Sequence, residues 1–280
     1  MIETLPFLAI MTSALLHAIW NAMARSHKEP GDIIACTVMA AGILSIPLLV
    51  LAGPPEREVW PWLVGGVIIN SIGIRAGMAA YARTSYGLAY PIMRAGIPLL
   101  ALPIAILMFG EWPTIGGAFG VILISSALIL LATIARRAGK AELSGVGYAL
   151  FAAFCGAGYV AADAMGVRLS SNVVSYASMI AIGNGLMLAS MVRIEGRNPV
   201  KLLVRHARLS FCISLLSTTG FLVYIWALKI TPVAMAAALR ETSVLFATAI
   251  AAFVLKEKIG ALHWCAALLA LCGIVAIKLF

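Results

Sequence analysis

Charged and titratable side chains interrupt runs that are otherwise apolar at His17, Arg75, Arg94, Asp163 and the adjacent pair Arg240 and Glu241. A charge at bilayer depth costs about 2.5 to 3.5 kcal/mol on insertion scales, so it faces either a partner or a wet cavity. Neighbouring residues on a helix point about 100 degrees apart, which leaves Arg240 and Glu241 badly placed to pair with each other. Asp163 is the partner expected for Arg240, because both fall in the half of the membrane next to the even-numbered connections. A static pair of this kind competes with a role in ligand binding or gating. Three interior arginines against two carboxylates make the expected interior slightly positive, which favours a carboxylate, phosphate or phosphonate ligand over a bare cation.

Polar and aromatic residues share faces with these charges. His17, Trp20 and Asn21 stand at i, i+3 and i+4, and Tyr90, Arg94 and Pro98 repeat at the same kind of spacing, as do Tyr159 and Asp163. Such stripes line a cavity or form interhelical hydrogen bonds. Tyr224 and Trp226 read as interface anchors. Pro91, Pro98 and Pro103 remove backbone bonds from one segment, so that helix is expected to bend beside Arg94 and to act as a hinge. Gly116 and Gly120 form a GxxxG pattern, read as helix packing with dimer contact as the alternative.

The elements that must carry these residues are membrane spans. Of 280 residues, 62% are hydrophobic and 11% charged, and the mean hydropathy is +1.03, far above that of a soluble domain. A crossing takes roughly 20 apolar residues. Ten runs qualify, at about 5–24, 32–52, 60–82, 87–109, 113–134, 145–166, 173–192, 209–228, 232–254 and 259–278. The fold class is therefore an all-α integral membrane protein. The first run follows Met1-Ile2-Glu3 with no basic leader, so it is expected to remain as a span. The five cysteines show no metal or redox spacing and read as small apolar filler.

The net charge of +9 comes from basic residues scattered over loops, which points to membrane orientation and not to nucleic acid. Thirteen Lys and Arg lie beside the odd connections and four beside the even ones, placing the odd connections in the cytoplasm and both termini outside. HExxH, GxSxG and GxxxxGK[ST] motifs do not occur, and interior carboxylates are too few for a two-metal site, so an enzyme is not expected. No cofactor or metal is expected either.

An internal repeat organises the chain. Setting Arg94 to Glu111 against Arg240 to Glu257, a shift of 146 residues, aligns arginine with arginine and glutamate with glutamate. Two five-span units follow, 1–137 and 138–280, joined through the basic Arg136-Arg137-Ala138-Gly139-Lys140 link. A unit of five spans ends on the side opposite to its start, so its copy lies inverted, with a ligand site near the midplane between the two.

Ten spans in two such units, with Gly110-Glu111 and Lys256-Glu257 before the last span of each and Ala227-Leu228-Lys229-Ile230-Thr231-Pro232 before the ninth, resemble the EamA-like transporters of the drug/metabolite transporter superfamily. The resemblance covers essentially the whole chain. It implies two inverted repeats around a central cavity, with the fifth helix of each repeat peripheral. It also implies export or exchange of small metabolites such as amino acids by alternating access, from a bacterial inner membrane. It implies cytoplasmic termini, opposite to the charge count. The partners expected are lipid and a small-molecule substrate, with one chain sufficient and a homodimer the alternative. A flippase for a lipid-linked metabolite and an organophosphonate-type permease are the neighbouring readings. Cationic drug efflux is disfavoured, since the first span lacks the embedded glutamate on which the small multidrug pumps depend.

Overall fold

A segment in hydrocarbon must satisfy its own backbone groups, and the helix does so within a single span. The computed structural model describes residues 2–138, 143–253 and 260–279. Its helices are α1 (Thr4–Arg25), α2 (Pro30–Ala52), α3 (Trp60–Arg83), α4 (Tyr86–Phe109), α5 (Ile115–Ala138), α6 (Leu143–Leu169), α7 (Val173–Ile194), α8 (Pro199–Ile230), α9 (Val233–Glu241), α10 (Ser243–Phe253) and α11 (Ala261–Leu279), with a short 3-10 turn at Arg57–Val59. Among the described residues, ten stretches are long and apolar enough to cross a membrane, α9 and most of α10 together forming the ninth. The protein is an all-α membrane protein. The Lys256-Glu257 turn and the Gly139-Lys140 part of the link lie outside the described residues.

Local chemistry sets the ends. Asn172 and Asn198 accept backbone N–H bonds from the first turns of α7 and α8, and Gly110 closes α4 in the left-handed region at φ 64°. The cap at Asn198, followed by Pro199 at the first helical position, starts α8 about ten residues before the apolar run begins. Lys201, Arg205, His206 and Arg208 therefore ride on a helical extension and not on a loop.

The ninth span departs from the single helix expected of it. α4 runs unbroken through Pro91, Pro98 and Pro103, whereas the ninth span, which has no internal proline, is interrupted at Thr242. There the Thr242 hydroxyl and N–H both donate to Leu239 O, at 2.6 and 3.2 Å. A side chain that bonds its own backbone competes with the helical ladder, and the turn tightens to i, i−3.

Helix pairing is orderly. α1 packs along α8 and α3 along α6; α2 packs on α7, α4 on α9 and α5 on α11. Exchanging spans one to five with six to ten maps this set of contacts onto itself. α2 and α7 approach at Gly42 and Gly185, where a Cβ on Gly42 would lie 3.4 Å from the Gly185 Cα. α5 and α11 cross at Gly120 and Gly273, where a Cβ on Gly120 would meet Gly273 O at 2.7 Å. Gly120 thus does the packing expected of the GxxxG pattern. α11 leans chiefly on α5, and its Leu268, Leu271 and Val275 face outward. Cys36 and Cys155 are buried, while Cys212, Cys265 and Cys272 are exposed, all as free thiols.

Candidate functional site

The arginine of α4 is held by three helices. Arg94 Nη1 donates to Glu241 Oε1 of α9 at 3.1 Å, Nε donates to Tyr90 Oη at 3.1 Å, and Nη2 bonds His17 Nε2 of α1. A guanidinium can only donate, so His17 accepts through Nε2 and carries its proton on Nδ1. The His17 ring stands edge-on to Trp20, centroids 5.0 Å apart. Glu241 is buried with its Oε2 lacking a hydrogen-bond partner. This pair answers why charges sit together at 240 and 241: Glu241 serves the arginine of the other half.

Arg240 points elsewhere. Its guanidinium lies 4.0 Å over the ring of Tyr224, a cation–π contact with a fully buried tyrosine. Among the described residues no carboxylate comes within ion-pair distance of it. At the 146-residue shift that aligns Arg94 with Arg240, the position matching Glu241 is 95, an alanine. Asp163 is near enough to Arg240 for their charges to interact, but the two do not meet in a hydrogen-bonded ion pair. Asp163 Oδ1 accepts from Tyr176 Oη at 2.9 Å, and the side chain is wholly buried with Oδ2 unbonded. The tyrosine on α7 reaches Asp163 first, past Gly166, whose missing side chain makes room for the ring.

A cavity of about 140 Å³ opens beside this cluster. α1 lines it with Ser13, His17 and Trp20, and α6 and α7 contribute Tyr159, Ala181 and Asn184. Val38 and Ala41 of α2, Ser217, Thr218, Gly220 and Phe221 of α8, and Arg240 of α9 complete the wall. Helices from both halves of the chain thus face one space, and Arg240 is the charged group in its wall. Asn184 is fixed there by Asn70 of α3, whose Nδ2 donates to Asn184 Oδ1 at 2.9 Å.

Not every residue singled out in the sequence joins this group. Arg75 is half exposed and pairs with Glu195 at the C-terminal end of α7, 3.3 Å away. The long stem of Arg75 carries its guanidinium out to the partly exposed carboxylate of Glu195, so it avoids the interior that its position suggested. Its departure leaves Arg94 and Arg240 against Asp163 and Glu241, a balanced interior in place of the expected positive excess. Asn21 donates to His17 O within its own helix. Tyr224 is buried under Arg240 and is no interface anchor; Trp226 is partly exposed.

Sequence reasoning also missed polar residues that matter. Ser13, Asn184, Ser217 and Thr218 line the cavity, and the pair of rare amides Asn70 and Asn184 inside apolar spans was the signal available for one of them. Ties between the halves were missed at both ends of the bundle. On the even-connection face, Glu111 Oε1 meets Arg168 Nη1 at 2.6 Å and Oε2 accepts from Val233 N at 2.7 Å. Arg168 in turn donates to Thr231 O at 2.7 Å. Nearby, the carboxylate of Glu56 accepts from Ser171 and Ser170, and those bonds, led by the Ser171 hydroxyl, hold it down at about 2. On the odd-connection face, Asp32 meets Arg197 at 2.6 Å and Glu29 meets Arg205 at 3.4 Å.

The fold and the site define a multi-pass helical membrane protein with a polar cavity between its two halves. Residues 143–279 match the model of the EamA-like transporter family. Over that second half the chain is similar to the family, whose members are membrane transporters of the drug/metabolite type. No curated protein matches. Among solved structures, one titled only as the crystal structure of a protein is similar over 98% of this chain and 96% of its own, with 18% identity and a TM-score of 0.75. That likeness shows the fold.

Proposed function

We propose that the protein carries a small polar metabolite with an anionic end, an amino acid or similar carboxylate or zwitterion, by alternating access between two inverted five-span units. The observation that carries this reading is Arg240, a cation in the cavity wall that Glu241 leaves unpaired by turning to Arg94. An anionic ligand group would complete its coordination, as a planar guanidinium suits a carboxylate. Tyr159, Trp20, Ser217 and Asn184 then offer stacking and hydrogen bonds to the rest of the molecule. A space of about 140 Å³ suits a small soluble metabolite better than a lipid-linked one.

The two-unit reading draws support from the helix pairing that survives exchange of the halves and from the start of the family match at residue 143, just after the link. Alternating access would break the polar ties on one face while keeping those on the other. Export or exchange is the direction favoured by the family.

Counterflow into proteoliposomes with labelled amino acids, other carboxylates and phosphonates tests the reading. Saturable uptake of an anionic or zwitterionic compound is expected, falling at least about tenfold in Arg240→Gln, the loss of one charged hydrogen bond. Arg75→Gln, outside the cavity, should transport normally. Uptake confined to cations, or full activity of Arg240→Gln, would remove the proposal.

A further inference from the structure

Far from the cavity, three side chains with metal-ligand chemistry converge on the odd-connection face. His27 and Glu29 lie in the turn between α1 and α2, and His206 lies on the extension of α8. Each offers one ligand atom, and the three atoms lie within 4.8 Å of one another. His206 is buried to 8% exposure, and its Nε2 has no hydrogen-bond partner although it stands 3.5 Å from Glu29 Oε2. The His27 and His206 rings meet edge-on with centroids 5.4 Å apart. Two imidazoles and a carboxylate are the donor set of a zinc-class cation, which takes such ligands tetrahedrally at about 2.0 to 2.2 Å. A buried imidazole nitrogen aimed at a carboxylate without bonding it is what such a set looks like before it closes.

From this convergence we propose that His27, Glu29 and His206 bind a zinc-class divalent cation that clamps the α1–α2 turn to α8. Ligand atoms of a tetrahedral site stand about 3.4 Å apart, so the turn closes by roughly 1 Å on binding. Two local contacts must yield. His27 Nδ1 now accepts from Glu29 N at 3.1 Å, and Arg205 Nη2 sits 3.4 Å from Glu29 Oε2. Arg205 is 66% exposed and free to swing outward. Three protein ligands leave the fourth position open to solvent. The site is separate from the substrate cavity: His206 precedes Ser217 on α8 by 11 residues, about 16 Å of helix. Because the turn belongs to the first half and α8 to the second, an occupied site joins the halves on that face and arrests exchange there.

The rival is a plain ion pair between a protonated His206 and Glu29. Tag-free protein in nanodiscs, dialysed against Zn²⁺ and counted by elemental analysis, separates the two. One Zn²⁺ per chain is expected, with Mg²⁺ failing to compete, and His27→Gln and His206→Gln should each weaken binding by about tenfold or more. Zn²⁺ should raise the unfolding temperature of the wild type and not of the variants, as a ligand of the native state does. His27→Gln alters only the partly exposed turn, so it reports even where His206→Gln folds poorly. Equal zinc content in His27→Gln and wild type, or no zinc retained by the wild type, would overturn the proposal. These readouts need no substrate, so their failure leaves the transport reading untouched and the converse also holds.

Discussion

Arg94 and Glu241 illustrate how a buried pair constrains both its members. Removing one partner of such a pair leaves the other charge uncompensated, at a cost of about 3 to 5 kcal/mol, whereas removing both is far milder. Arg94→Gln and Glu241→Gln should each lower the unfolding temperature in detergent, and the double variant should recover much of the loss. An additive double variant would mean that the two side chains act independently.

The helices were the legible part of the sequence, because a span reveals itself by apolar length alone. Ten spans read from composition coincide with ten helical stretches among the described residues, the ninth made of α9 and α10, and their ends shift by only a few residues except at α8, where the Asn198 cap outweighs hydropathy. What composition does not encode is which neighbour a side chain meets. Asp163 and Arg240 are near enough for their charges to interact, yet the direct hydrogen bond to Asp163 comes from Tyr176, and Arg75 escapes along its own stem to Glu195. The helix of α4 continues through its three prolines, whereas Thr242 breaks the ninth span by a bond visible only in three dimensions. Close crossings make their own prediction. Gly120→Val should disrupt the α5–α11 contact, since even one added carbon meets Ile277 Cγ1 at 2.5 Å and backbone beyond it. A destabilisation of about 1 to 3 kcal/mol or more is expected in denaturant unfolding, and an unchanged midpoint would show that α11 can slide outward freely.

For the molecule as a whole, the ion pairs at the two ends are individually weak, about 0.2 to 1 kcal/mol when exposed, which suits the opening and reforming that the proposed alternating access requires. Cysteine pairs at Asp32/Arg197 and at Glu111/Arg168, in a background lacking the five native cysteines, would fix one face at a time. Oxidation of either pair should stop counterflow, and reduction should restore it. Flux that persists with both pairs oxidised would exclude alternate opening of these faces. The orientation of the bundle is a separate matter, on which basic loops and family likeness point in opposite directions. Lys278 bonds Ile2 O and Thr4 Oγ1, so the two ends of the chain at least share one side.

The alanine at position 95 has an effect out of proportion to its size. On the two-unit reading proposed above, glutamate at 241 and a methyl group at the matching place give the scaffold a front and a back, for only one of two like arginines sits in an ion pair. Trading them, Ala95→Glu with Glu241→Ala, should carry the bare guanidinium into the opposite module. In vesicles of known sidedness, the leaflet showing the higher apparent affinity should then change over, making directionality in this scaffold the property of a lone carboxyl group.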